Sequence, residues 1–298
     1  MKPILFTLIV LTFFLSENII AQKTLLRQKI AQIAQTSKGK VGVAVINFEK
    51  KDTITYNGYS RLPMQSVYKF PLGMTILSQI DKGNFSFNQK IHITKTDLLT
   101  VTYSPLKDKY PEGNTDITLK ELLEYTVSKS DNNGCDILFR LIGGPLKVND
   151  YIHSIGIQGI SIVATEQEMH KDWNVQFTNW CEPMAMARLL ELIYQGNKLS
   201  QQSNDFLKKQ MTETTIGPNR IKGLLPEGTI VTHKTGSSNT NDKGITAATN
   251  DVGIVTLPNG QHFAIVIFVV NSPEKIEIRE GVIAQITKAV WDYYTQKN

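Results

Sequence analysis

The sequence predicts an α+β protein: an antiparallel sheet flanked by N- and C-terminal helices, with an all-helical domain inserted into it. Three observations lead there. Apolar, β-branched runs lie towards both ends of the 298-residue chain. Between them, apolar residues recur at helical spacing. The late strands follow one another with short links, which suits antiparallel pairing.

Taken in order, "VGVAVINFE" (41–49) and "DTITYN" (52–57) form a predicted hairpin. "SVYKFPLGMTILSQIDKG" (66–83) reads as a helix that stops at Gly83, with Pro71 near enough to its start to be tolerated. "TLKELLEYTV" (118–127) opens on a Thr118 cap, and Glu121 stands where a capping box wants it. "DILFRLI" (136–142) ends at Gly143-Gly144, and Pro145 suits the first turn of the next helix. "EPMAMARLLELIYQG" (182–196) is a further amphipathic helix. Strands follow at "TIVTHKTGSS" (229–238), "TAATNDVGIVTL" (246–257) and "HFAIVIFVVN" (262–271), then a helix from about Glu274 to Tyr294. This order divides the chain into a sheet domain, 22–61 with 212–298, and a helical domain, 62–211. The seam between them is the place to look for a site.

Composition narrows the function classes. Hydrophobic content of 41% and charged content of 20% are ordinary for a globular protein. The net charge of +5 is spread over many lysines, with no dense basic block, so no nucleic-acid partner is expected. At the start, Lys2, the apolar run "ILFTLIVLTFFL" (4–15) and Ala21 form the pattern of a secretory leader, residues 1–21. That run is too short to span a bilayer comfortably, and no membrane anchor is expected after cleavage. The protein is expected to be periplasmic or secreted, and monomeric. The mature chain holds Cys135 and Cys181, which could pair in an oxidising compartment or remain as two buried thiols. The histidines, at 92, 153, 170, 233 and 262, lack zinc-site spacing, so no metal or cofactor is expected.

Ser66-x-x-Lys69, in "MQSVYKF", puts a hydroxyl and an amine three apart, on one helix face. Serine is a weak nucleophile without an adjacent base. Lysine serves as a base only if burial and nearby cations favour its neutral form. A second lysine, Lys234, stands in "HKTGSS" (233–238), where Thr235, Gly236 and Ser237 follow it on a predicted strand. Gly236 would let a ligand lie close against that strand, and ammonium plus hydroxyl suit a carboxylate. In "SKSDNNG" (128–134), Ser130 could relay a proton and Asn132 could hold an amide. Each motif alone is ordinary: a polar couple on a helix, a strand with a bulge, a helix cap.

Together and in this order, Ser-x-x-Lys, Ser-Asp-Asn and Lys-Thr-Gly form the set shared by class A β-lactamases and penicillin-binding proteins. Over nearly all of its mature length the chain resembles a class A serine β-lactamase. "PMQSVYKF", "SDNNGCDILF", "NRIKGLLPEGT" and "HKTGSS" are most similar to the PER-like, extended-spectrum branch. The resemblance implies the serine β-lactamase and DD-peptidase fold, with the site at the domain seam. It implies a hydrolase for β-lactam antibiotics, including oxyimino cephalosporins. Small-molecule β-lactams are the expected partners.

The implied roles follow residue by residue. Ser66 attacks the lactam carbonyl, and its proton leaves through Lys69 or through a water on Glu166. The N–H groups of Ser66 and Ser237 form the oxyanion hole. Ser130 passes a proton to the ring nitrogen. Lys234, Thr235 and Ser237, with Gly236 beside them and Arg220 from "GPNRIKG", receive the substrate carboxylate. Asn132 holds the side-chain amide, and Glu166 activates the deacylating water.

Two departures from the family pattern stand in "ATEQEMHKDWNVQFTNW" (164–180). The family's Glu-x-x-Leu-Asn becomes Glu166-x-x-Met169-His170, which puts a titratable ring beside the expected water, with Glu168 as a competing base. The arginine and aspartate that usually tie this loop match Ala164 and Asn179, so the loop must be held another way. "SSNTNDKGITA" (237–247) also reads as a long link between strands. Both features suggest a wide pocket. The alternatives are a penicillin-binding DD-peptidase, whose deacylation would not depend on Glu166, and a non-catalytic β-lactam sensor domain.

Overall fold

The structure is a computed structural model and describes residues 21–296. The leader expected at 1–21 lies outside the described residues apart from Ala21. Residues 21–35 are helical (α1). The predicted hairpin follows as β1 (Lys40–Asn47) and β2 (Asp52–Tyr56). The middle of the chain holds β3 (Leu62–Pro63), α2 (Lys69–Asp81), β4 (Lys90–Ile93), α3 (Pro105–Lys109), β5 (Thr115–Thr118), α4 (Leu119–Val127) and α5 (Asn132–Ile142). It continues with α6 (Pro145–Ser154), β6 (Ile160–Ser161), α7 (Glu166–Lys171), β7 (Trp180–Cys181), α8 (Pro183–Gln195) and α9 (Gln201–Thr212). The chain closes on β8 (Val231–Ser237), β9 (Thr246–Thr256), β10 (His262–Ser272) and α10 (Ile276–Thr295).

The principal sheet has five strands in the order β2-β1-β10-β9-β8. All its neighbours are antiparallel, as the short links predict. β1 pairs with β10 from Lys40↔Val270 to Asn47↔Phe263, so the two ends of the chain meet inside one sheet. Side chains alternate across a strand. On β10, Phe263, Ile265, Ile267 and Val269 face α1 and α10, meeting Ile30, Val282 and Ile286. Ala264, Val266, Phe268 and Val270 face the helical block, meeting residues of α8 such as Leu189. Both faces are covered, which is why this strand is an unbroken apolar run rather than an alternating one.

The helices differ from expectation in instructive places. The helix read over 66–83 is two pieces: a 3₁₀ turn at Gln65–Tyr68, then α2, in which Pro71 is the third residue. Thr118 Oγ1 accepts from the Glu121 N–H at 3.1 Å. The Glu121 carboxylate goes instead to Lys109 at 2.8 Å and Tyr110 at 2.9 Å, so the return arm of the capping box is not made. α5 starts at Asn132, four residues before 136, because Asp131 caps it through the Gly134 N–H at 2.7 Å. α9 is not legible as an apolar stripe, since its buried side includes Ser203, Asn204 and Gln210. Cys135 and Cys181 are both buried free thiols, Cys135 beside Tyr68 and Cys181 on β7 opposite Leu62. Burial pushes both thiols well above the usual cysteine pKa.

Asp131 is fully buried and ties the segment after α3's cap to the start of α5. Its carboxylate accepts from Ser104 Oγ at 2.9 and 3.0 Å, from the Leu106 N–H at 2.6 Å and from Gly134. Asp131→Ala strands these buried donors and removes the helix cap. A loss of about 3 kcal/mol is expected, since one hydrogen bond to a charged group is worth about 1.5–3 kcal/mol. Urea unfolding of the variant beside the wild type measures it. A loss under ~1 kcal/mol would contradict the tie.

Candidate active site

Ser66 sits in the 3₁₀ turn that leads into α2. The turn is held from behind by the sheet. Asn250 of β9 donates through Nδ2 to the carbonyls of Pro63 at 2.8 Å and Met64 at 3.1 Å. Gln65 carries a φ of +50°, a conformation few non-glycine residues adopt, immediately before the serine. Gly236 of β8 faces the same turn: a Cβ there would lie 2.4 Å from the Met64 carbonyl oxygen. The close approach expected at Gly236 is therefore one that the chain makes to itself.

Lys69 opens α2 and is completely buried. Its Nζ lies 3.0 Å from Ser66 Oγ, 2.8 Å from the Ser130 carbonyl oxygen and 2.9 Å from Glu166 Oε1, and it donates to Asn132 Oδ1. The contact with Glu166 is an ion pair without hydrogen-bond alignment, and Oε1 has no other partner among the described residues. On the other side, Lys234 Nζ donates to Ser130 Oγ at 2.8 Å and to the Thr235 carbonyl at 3.0 Å. Ser130 thus stands between two buried lysine amines, with a φ of +58° that turns it into the cleft. Burial, and then the charge of Lys69, push Lys234 well below the usual lysine pKa.

Glu166 is the first residue of α7, capped by Thr165 and Glu168 in a complete capping box. Glu168, the competing carboxylate, is thereby occupied with the Thr165 N–H at 2.8 Å and its hydroxyl at 3.0 Å. Asp136 of α5 accepts from the backbone N–H groups of Glu166 at 2.8 Å and Gln167 at 2.9 Å. Burial, and the nearby charge of Glu166, raise the Asp136 carboxyl to about 7. The loop that lacks its salt bridge is closed by Asn179. Its Oδ1 accepts from the N–H groups of Val163 at 2.8 Å and Ala164 at 2.9 Å, and its Nδ2 donates to the Ala164 carbonyl at 2.8 Å.

Ser66, Ser130, Asn132 and Glu166 line a cleft of about 610 Å³ with Val101, Tyr103 and Trp173 on its walls. His170 makes no hydrogen bond to Glu166. Its Nε2 lies 3.0 Å from Thr102 Oγ1, which accepts from Asn132 Nδ2 at 2.6 Å. Gln65 and Gln176 join the loop to the serine turn at 2.7 Å. Arg220 lies behind the β8 edge: Nη2 donates to Ser237 Oγ at 2.7 Å, and Nε pairs with Glu280 at 3.0 Å. Thr235 and Ser237 face the cleft beside it. Sequence reasoning missed Asp136, Thr102, Gln65, Gln176 and Asn250. Asp136 sits in the quoted motif stretch "SDNNGCD", five residues past the cap; the others carry no local signal.

The chain matches a family profile described as "Beta-lactamase enzyme family" over residues 25–294. It is 50% identical to beta-lactamase VEB-1 of Pseudomonas aeruginosa, covering 93% of each chain. It is 40% identical to the extended-spectrum beta-lactamase PER-1 of the same organism, covering 93% of this chain and 90% of that one. Among solved structures, the TLA-1 extended-spectrum beta-lactamase superposes with a TM-score of 0.90 at 53% identity, over 92% of this chain and 99% of the other. A beta-lactamase from Chitinophaga pinensis superposes at 0.89 with 55% identity, over 91% and 99%.

Asp136 gives a pH-dependent test. Its carboxyl is raised from 3.8 to about 7 by folding, so it binds protons more tightly in the folded chain. Its contribution to stability is therefore lost as pH rises from about 4 to about 7. In Asp136→Asn that loss is absent. The stability of the variant minus that of the wild type should climb over this window and level off above it. Denaturant titrations at intervals across the window measure it, and a flat difference would contradict the shift.

Proposed function

We infer that this chain, which belongs to the beta-lactamase enzyme family, hydrolyses β-lactam antibiotics through an acyl-enzyme on Ser66, oxyimino cephalosporins included. One observation carries the mechanism. A single buried amine nitrogen, Lys69 Nζ, stands 3.0 Å from Ser66 Oγ and 2.9 Å from Glu166 Oε1, joining the nucleophile to the loop carboxylate.

Ser66 Oγ adds to the lactam carbonyl as its proton passes to Lys69 or, through a water, to Glu166. The resulting oxyanion is held by the N–H groups of Ser66 and Ser237, at ~3 kcal/mol per donor. The C–N bond breaks as Ser130 Oγ gives its proton to the ring nitrogen, and Lys234, 2.8 Å away, steadies the charge on that oxygen. The substrate carboxylate lies against Lys234, Thr235 and Ser237. Arg220 orients the Ser237 hydroxyl. Asn132 receives the side-chain amide, and His170, through Thr102, fixes the Asn132 amide that receives it. Glu166 takes a proton from water, which adds to the acyl carbonyl and frees Ser66.

Export to the periplasm belongs to the same proposal, supported by the leader pattern at 1–21. No helix among the described residues is long and apolar enough to cross a membrane. The proposal also includes a monomer divided into a sheet domain, 22–61 with 212–298, and a helical domain, 62–211, with the cleft at their seam.

Glu166→Ala with a chromogenic cephalosporin should acylate and then stall. Intact-mass spectrometry should show a stable adduct on Ser66, with turnover reduced at least ~100-fold, the lower end for a positioned general base. Unchanged steady-state hydrolysis would remove Glu166 from deacylation. In the wild type, cefotaxime and ceftazidime should be hydrolysed. Good cleavage of benzylpenicillin with both of these left intact would overturn the substrate range.

A further inference from the structure

The cleft has an end that the reacting groups do not occupy, and Asn132 leads to it. Asn132 Nδ2 donates to Thr102 Oγ1 at 2.6 Å, and Thr102 meets His170 Nε2 at 3.0 Å. These contacts join two stretches of wall beside the Asn132 amide. One precedes α3 and holds Val101 and Tyr103; the other, in the loop that carries Glu166, holds Met169 and Trp173.

Thr102 is buried, yet its neighbours are left to water: Val101 is 80% exposed and Tyr103 58%. Large apolar side chains kept in solvent within a cleft mark a surface that a ligand covers. Val101, Tyr103, Met169 and Trp173 carry no charge, and two of them are aromatic. This end therefore suits a flat, uncharged ring rather than an ionised group.

Trp173 differs from Val101 and Tyr103 in being held. It is partly buried, and its carbonyl accepts from Gln176 Nε2 at 2.7 Å. Gln176 Oε1 accepts in turn from Gln65 Nε2 at 2.7 Å, and Gln65 immediately precedes the nucleophile. Both glutamines are buried. The Trp173 ring lies edge-on to Phe177, with centroids 6.3 Å apart and planes at 68°. Two buried amides and one aromatic neighbour thus fix Trp173 relative to Ser66. A wall residue fixed in this way loses little freedom when a ligand stacks on it.

We propose that Trp173 is a specificity-determining residue: with Tyr103 it forms a subsite for an aromatic ring at the end of the substrate's acylamino side chain. The proposal rests on the reading of Asn132 as the group that receives the side-chain amide. That contact sends the rest of the side chain towards the two wall stretches that Thr102 and His170 join. β-Lactams with a phenyl, thienyl or aminothiazole group in this position are the class the subsite favours, over those with a short alkyl group.

Two cephalosporins with one nucleus, acylated by phenylacetyl or by acetyl, isolate the ring. The wild type should favour the phenylacetyl compound in kcat/KM. Trp173→Ala should reduce that preference about tenfold, the scale of a lost aromatic pair and its burial. Trp173→Phe, which keeps a ring, should retain most of it. A loop displaced by the substitution would slow both compounds alike and leave their ratio as it was. Tyr103→Ala should lower the ratio as well; a ratio moved by Tyr103→Ala and not by Trp173→Ala overturns the role of Trp173. The parent amine of the same nucleus, with no acyl group, tests the reading of Asn132. Asn132→Ala should slow both acylated compounds relative to that parent. If it does, and Trp173→Ala leaves the ratio unchanged, the role of Trp173 alone is overturned. If it does not, the placement of the amide falls and the proposal with it.

Discussion

Two buried lysine amines meet at one serine, and much of the structure is arranged around that meeting. Lys69 donates to the Ser130 carbonyl and Lys234 to the Ser130 hydroxyl, each at 2.8 Å. Amines this deep in the protein lose their hydration, so the fold needs carboxylates and hydrogen bonds in fixed places around them. Glu166 faces Lys69. Asp131, just beyond the serine, is spent on the backbone of the neighbouring segments. On the far side of the sheet the buried Asp251 is held by His233. Ser130 is positioned for both lysines only because its backbone takes a left-handed turn between α4 and α5.

The loop that carries Glu166 shows how a missing ion pair is replaced. Where the family places an arginine and an aspartate, this chain has Ala164 and Asn179. One buried amide satisfies two N–H groups and one carbonyl of the opposite strand of the loop. Asp136 then fixes the start of α7 from the core side, and Gln65 with Gln176 fixes the loop to the serine turn. The hold is hydrogen-bonded rather than ionic. The carboxylates that remain there, Glu166 of the loop and Asp136 of α5, lie on the side of Lys69.

The elements legible in sequence are those with a strong local cause. The apolar runs of β9 and β10, the Gly143-Gly144-Pro145 break and the Thr118 cap each act over a few residues, and the structure keeps them. The misses have tertiary causes. α9 buries polar side chains, so no apolar stripe announces it. The helix read from Ser66 begins as a 3₁₀ turn because β8 and β9 press on it from behind. Glu121 leaves its capping box for Lys109 and Tyr110, which stand eleven or more residues away.

The site divides in the same way. Ser66, Lys69, Ser130, Asn132, Glu166 and Lys234 are recognisable in sequence because each motif carries residue types whose chemistry is incomplete alone and complete together. The sequence by itself determined that set, the α+β order of elements and the family resemblance, since these rest on residue identity and short-range spacing. Only the tertiary structure decided which groups share a proton or a charge. Lys69 is set against Glu166, His170 against Thr102, Glu168 into its own helix cap, and Asp251 against His233. Such contacts depend on which strand faces which and on what burial leaves unpaired, and no local pattern encodes either.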